Sequence, residues 1–188
     1  VNEAVFFRDP AIEKNPTFTV LFRGRFLPES GIFTVIEAAK ILEDRNIHFL
    51  IIGHGFLYRE VNALMKKLKP NNVKIIGERL PEKELRNYML SCHISLGQLA
   101  DHPRLLRTLP SKLFESLALG IPYLTGRNAG ALELLREHDT CIAVEPDDPN
   151  DLADTILYLK DRPEMLQKVA ERGYQLYRTK LTSRQLAK

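Results

Sequence analysis

A chain of 188 residues, 44% of them hydrophobic, is long enough to bury one good core, so the expectation is a single domain with a terminal appendage. The formal net charge of +3 is small and scattered, and no basic stripe is interleaved with aromatics, which argues against a nucleic-acid binder. Two cysteines, Cys92 and Cys141, share no motif spacing, which argues against a disulfide framework or a metal site and for a reducing, cytoplasmic setting.

No signal-peptide pattern opens the chain, and no apolar run reaches the length of a membrane span. The chain starts at Val1 without a methionine, so a piece of a longer polypeptide is expected. Residues 1–16 are polar, proline-bearing and aperiodic, and read as a linker entering the domain. Phe18 to Phe22 (FTVLF) is a continuous apolar run of strand-favouring residues, and the RGRFLPESG that follows carries two glycines and a proline. That is a buried strand and then a loop. From Ile32 to Leu42 the period becomes helical, with Ile32, Val35, Ile36, Ala39 and Leu42 on one side. His48 to Ile52 (HFLII) is a second strand, broken by Gly53-His54-Gly55. Phe56 to Leu68 is an amphipathic helix whose lysines fall toward its end, where they suit the dipole. Val73 to Ile76 is a third strand, Gly77-Glu78-Arg79 a loop, Pro81 to Cys92 a helix, and His93 to Leu96 a fourth strand stopped by Gly97.

Gln98 to Thr108 is the longest irregular stretch inside the domain and carries Asp101, His102, Arg104 and Arg107; loops of this length in compact domains are functional or disordered. It leads into Leu109 to Thr125 (LPSKLFESLALGIPYLT), a short helix, a glycine stop and an apolar strand. Pro110 suits the first helical turn and Gly120 the left-handed residue after the last. Leu113, Phe114, Leu117 and Ala118 form an apolar stripe, and Ser111, Lys112 and Glu115 share the opposite face. Ile121 to Thr125 is the fifth strand, Ala131 to His138 a helix, and Cys141 to Val144 the sixth strand. Pro149 to Asp161 and Pro163 to about Leu186 read as two terminal helices.

Strands alternating with helices at this spacing predict an α/β fold, a Rossmann-like doubly wound parallel sheet of about six strands with helices on both faces. Ligands of such sheets bind beyond the carboxyl ends of the strands, where strand order reverses. The candidate site is therefore the set of loops after strands one to four: Gly24 and Arg25, then Gly53, His54 and Gly55, then Glu78 and Arg79, then the long loop. The helix from Pro110 opens at that same edge, where backbone N–H groups and the macrodipole favour an anion. A hydroxyl, a lysine and a glutamate there suit a ligand with phosphates and sugar hydroxyls. A solvated face with a weak Lys112–Glu115 pair is the bland alternative. Gly53-His54-Gly55 is only a fragment of a dinucleotide fingerprint, and a tight strand-to-helix turn explains its glycines equally.

Taken in order, these segments resemble the C-terminal, donor-binding half of a GT-B-fold retaining glycosyltransferase of the group 1 or family 4 type. FRGRFLPESG resembles the Gly-Arg loop after the first strand, FLIIGHG the second strand and its turn, and VKIIGE with LPEKELRNYMLSCHISL the third strand, helix and fourth strand. PSKLFESLALGIPYLTGRNAGALELL resembles the family signature. The resemblance implies that Glu115 bonds the ribose hydroxyls and that Arg25 stabilises the diphosphate as charge develops on the leaving group. It implies that the loop at Gly77, Glu78 and Arg79 lines the base, and that Gly24, Gly53 and Gly55 let the nucleotide approach the backbone. Ser111, Lys112 and Leu113 then mark the helix start beside the phosphates, with Lys112 as a second cation.

The resemblance implies no metal and no cofactor, the nucleotide-diphosphate sugar being the donor substrate. It also implies a hexosyltransferase role in polysaccharide or glycoconjugate synthesis. Residues 17–162 would be the nucleotide-sugar-binding domain and 163–188 a C-terminal helix that packs back across an absent N-terminal acceptor domain. That acceptor domain would be the partner, together with any peripheral membrane contact. The chain alone would bind a nucleotide weakly and transfer nothing. Two positions depart from the family pattern: Ser30 stands where a loop lysine is common, and Arg107 where a glutamate usually contacts the donor sugar. Lys112, or else Arg107, would then replace that lysine. A degenerate, non-catalytic module of the same fold and another Rossmann-type nucleotide-sugar enzyme are the alternatives.

Overall fold

The computed structural model describes residues 1–186, so the last two residues of the predicted C-terminal helix lie outside it. Six parallel strands, β1 (Phe18–Arg23), β2 (Ile47–Ile52), β3 (Val73–Ile76), β4 (Ile94–Leu96), β5 (Tyr123–Gly126) and β6 (Ile142–Val144), form one sheet in the order β3-β2-β1-β4-β5-β6. The intervening helices are α1 (Ile32–Ile41), α2 (Tyr58–Leu68), α3 (Glu82–Ser91), α4 (Ser111–Leu119), α5 (Ala129–Leu134) and α6 (Pro149–Lys160), with α7 (Pro163–Leu176) and the single turn α8 (Ser183–Leu186) closing the described chain.

The continuous apolar strands are continuous because both faces are covered. In β1, Val20 and Phe22 join a core built with α1, α2 and α6, while Leu21 between them faces α3 and the N-terminal segment. β2 divides the same way, Phe49 and Ile51 to the first core and Leu50 and Ile52 to the second. A third cluster lies around α4, where Leu113, Leu117 and Ala118 meet Tyr123, Leu135 and Tyr177.

Several boundaries differ from expectation for physical reasons. Pro110 sits just ahead of α4 in an extended conformation instead of inside its first turn, whereas Gly120 does take the left-handed conformation after its last (φ 65°). The helix expected over 131–138 runs from Ala129 to Leu134 only. Leu135 turns extended and buries its side chain in the third core, and the Arg136 amide then bonds to Thr140 Oγ1 at 2.7 Å. The terminal helix breaks at Leu176 into a π-helical turn, Tyr177–Leu181, whose Tyr177 and Leu181 are buried beside α4. Within the described residues α7 packs onto this same domain: Leu166 and Val169 enter the first core, and Gly173 lies so close to Leu117 that a Cβ there would stand 2.7 Å from its Cδ2.

Residues 1–16 hold no helix or strand, yet they are docked. Phe6 is buried in the second core, and Asp9 accepts from Arg86 at 2.7 Å. Arg8 lies 3.5 Å over the Tyr174 ring and pairs with Glu171, and Glu3 accepts from the Ser183 amide at 2.8 Å. Both cysteines are buried and unbridged. No helix among the described residues is long and apolar enough to cross a membrane.

Candidate functional site

In a sheet of this order the chain leaves β1 toward one side and β4 toward the other, so the loops after β1 and β4 part and leave a crevice at the carboxyl edge. Arg23 is the last residue of β1 and Gly97 the first after β4. Lys112, in the first turn of α4, reaches back into this gap: its Nζ donates to the Gly97 carbonyl at 2.9 Å and stands 4.6 Å from the Phe22 ring centroid. One turn further along α4, Glu115 forms an ion pair with Arg23. A side chain on Gly24 would come within 3.7 Å of Lys112 Nζ, so bare backbone and a buried ammonium lie side by side.

These groups are largely withdrawn from water. The Arg23 and Glu115 side chains are 17% and 12% exposed and Lys112 is 6% exposed. Burial lowers the Lys112 pKa to about 7, and the Arg23 charge adds to that shift. Burial also lowers the Arg23 pKa, to about 10, which leaves it charged at neutral pH.

Two clefts meet at Arg23, Gly24 and Arg25. The larger, about 450 Å³, runs toward β3 and is lined by Gly53, His54, Glu78, Arg79 and Glu115, with Phe6 of the N-terminal segment in its wall. The smaller, about 290 Å³, runs toward the long loop and is lined by Gln98, Thr108, Ser111 and Lys112. There Arg104 Nη1 donates to Glu29 Oε1 at 3.0 Å, which ties the long loop to the loop after β1. Gly53 and Gly55 have a structural duty as well: a Cβ on Gly53 would overlap the Gly24 carbonyl, and one on Gly55 would stand 2.6 Å from the Phe26 nitrogen. The loops after β1 and β2 touch backbone to backbone, stitched by Gly24 N to Ile52 O at 3.0 Å and Phe26 N to His54 O at 3.1 Å.

Of the residues singled out from sequence, Gly24, Arg25, Gly53, Glu78, Arg79, Ser111, Lys112 and Glu115 therefore line the joined clefts. Gly55 lies behind them against Phe26, and Leu113 is fully buried with its amide bonded to Pro110 O. The structure brings neither to a cleft wall. Ser30 is buried in a 3-10 turn with its hydroxyl on Leu27 O at 2.6 Å, and Arg107 is exposed in a separate hollow beside Glu133. Sequence reasoning passed over Arg23 as an ordinary loop residue; a charge ending an otherwise continuous apolar strand was the available signal. It also passed over Phe6, which no local pattern marks. His54 stacks on Tyr58 with ring centroids 4.2 Å apart. Among the described residues no group of three or more His, Cys, Asp or Glu is placed to hold a metal. A further cleft of about 560 Å³ opens at the opposite, amino edge of β1 to β3, beside His48 and Asn72, and none of the expected residues lines it.

The family described as Glycosyl transferases group 1 matches residues 5–176. Over 153 residues, 81% of this chain, the sequence is 26% identical to an uncharacterised glycosyltransferase of Methanocaldococcus jannaschii. It is 28% identical over 160 residues to the α-D-kanosaminyltransferase of Streptomyces kanamyceticus. The aligned parts make up 41% and 39% of those proteins, so this chain spans about two fifths of the curated relatives it matches. Among solved structures, the C-terminal domain of a group 1 glycosyl transferase (LpcC) from Francisella tularensis superposes with a TM-score of 0.78 at 18% identity, covering 96% of this chain and 97% of that one. Anabaena HepE, solved with UDP and glucose, superposes with a TM-score of 0.78 at 18% identity, covering 94% of this chain and 50% of that one. At such identities the likeness is one of fold.

Proposed function

The chain belongs to the Glycosyl transferases group 1 family, and from that premise we propose that its joined clefts hold a nucleotide-diphosphate sugar, the donor of a sugar-transfer reaction completed by the rest of a longer protein. The observation that carries the reading is the arrangement at the strand reversal, where one carboxylate, Glu115, lies beside the cations Arg25 and Lys112 and the bare backbone of Gly24. A carboxylate accepts from vicinal hydroxyls, as a ribose offers them, and cations at a strand end and a helix start suit a diphosphate.

In this reading the base lies in the larger cleft against the loop of Glu78 and Arg79, the ribose on Glu115, the diphosphate across Gly24, and the sugar toward Thr108 and Ser111. Arg25 and Lys112 then stabilise the negative charge that grows on the leaving diphosphate as the glycosidic bond breaks. The acceptor enters from outside this domain, so the chain alone binds and does not transfer. UDP is the first nucleotide to try, because HepE was solved with it. The degenerate-module reading keeps one specific observation in its favour: Ser30 is buried and Arg107 lies outside both clefts, so neither common family side chain has a replacement at its own position.

Calorimetric titration of the folded chain with UDP, GDP and ADP, repeated with Glu115→Ala, tests this. Binding of one nucleotide, weakened on the order of 10- to 100-fold by loss of a charged hydrogen-bond acceptor, supports a donor site. No binding of any of the three favours the non-catalytic module.

A further inference from the structure

We infer that Arg23 is a third cation of the diphosphate subsite, beside Arg25 and Lys112, held on Glu115 while the site is empty and shared with the phosphates once a nucleotide enters. This role rests on the donor-site reading above, and it gives the subsite a cation that does not depend on the loop position held by Ser30. Arg23 lines both clefts at the point where they meet, one residue from Gly24. Its guanidinium pairs with Glu115, yet Nε is buried without a hydrogen-bond partner, so the ion pair leaves one donor over in a mostly buried site.

Beside Arg25, which the donor-site reading already places on the diphosphate, the other nearby cations are each engaged or displaced. Arg104 is engaged by Glu29, Arg107 is exposed in another hollow, and Lys112 already donates to the Gly97 carbonyl. In the smaller cleft Arg23, Arg25, Arg104 and Lys112 share one carboxylate, Glu29, and Glu115 meets Arg23 from the larger cleft, so with Lys112 charged four positive charges there meet two negative and two remain uncompensated. A diphosphate supplies the missing negative charge, and the planar fork of an arginine suits two of its oxygens at once. Entry of the ribose gives Glu115 hydroxyls to accept from, which frees part of the guanidinium for the phosphates without either charge being left alone.

The test compares UDP with uridine, which shares base and ribose but lacks the phosphates, on the wild-type chain, Arg23→Gln and Arg23→Lys, by calorimetry for UDP and NMR shift titration for uridine. If Arg23 meets the diphosphate, Arg23→Gln weakens UDP on the order of 10- to 100-fold, uridine holds or tightens, and Arg23→Lys falls between. Equal losses for UDP and uridine would mean that Arg23 only holds Glu115 in place, and overturn the inference. Unchanged UDP binding by Arg23→Gln overturns it too, while leaving the donor site standing. A wild-type chain that binds neither ligand, nor GDP nor ADP, brings down the donor-site reading and this inference together. Arg23→Lys retains a charge opposite Glu115, so it keeps the comparison readable should Arg23→Gln fail to fold.

Discussion

Lys112 shows how one buried charge ties folding, pH and ligand together. Its ammonium is held by a single carbonyl and an aromatic face and is almost wholly buried, so its pKa falls from 10.5 to about 7. Between those values the unfolded chain keeps a proton that the folded chain has released, so stability rises with pH across that window. Lys112→Met is expected to flatten that slope, as read by urea unfolding at pH 7 and pH 9. A bound diphosphate acts in the opposite sense, because a nearby anion favours the ammonium. UDP binding near pH 8 should therefore take up a proton, seen as a binding enthalpy that changes with the ionisation enthalpy of the buffer, and affinity should decline from pH 7 to pH 9. Lys112→Met would remove both effects.

At the scale of elements, the site depends on two loops and one helix being held in register. The loops after β1 and β2 approach backbone to backbone, which is possible only because Gly53 and Gly55 have no side chain. Gly53→Ala would push the Gly24 carbonyl away, at a cost of about 2 kcal/mol or more of stability by overpacking. Because the same carbonyl belongs to the cleft floor, nucleotide affinity should fall with it, and paired denaturation and titration curves check both. α4 is anchored by polar contacts as well as by its apolar stripe. Ser116 Oγ lies 2.8 Å from Ser95 Oγ on β4 and donates to Lys112 O at 2.7 Å. These bonds set the helix against the strand that stops just before Gly97, which explains why a short helix can place Lys112 and Glu115 so tightly.

On the scale of the whole molecule, the N-terminal segment does more than lead into the sheet. It crosses the domain from Glu3 at the C-terminal turns, through Arg8 on α7, to Asp9 on α3, and inserts Phe6 between the second core and the larger cleft. Phe6→Ala should cost about 3 kcal/mol, in keeping with truncation of a buried aromatic, and lower the urea midpoint with little change in slope. The exposed Arg8–Glu171 pair by contrast is screened by water and is expected to contribute little, so Glu171→Gln should leave the midpoint nearly unmoved.

What the sequence determined by itself was the sheet and the approximate place of the site. Apolar runs such as FTVLF and HFLII can be satisfied only by burial on both faces, and helical spacing between them leaves a parallel doubly wound sheet as the economical solution. The same logic put Arg25, Glu78, Ser111, Lys112 and Glu115 at one edge, because every loop after a strand of a parallel sheet emerges there. Tertiary structure alone decided the partners. Glu115 pairs with Arg23, ninety-two positions earlier, instead of forming the local pair with Lys112 that helical spacing allowed, and Lys112 turns inward to Gly97. It likewise decided that Gly55 serves the loop contact and that residues 1–16 are docked, whereas the core position of Leu113 follows the apolar stripe legible in the sequence. Periodicity reports which face of an element is apolar; which distant side chain meets a charge depends on how two elements are packed, and no local pattern carries that information.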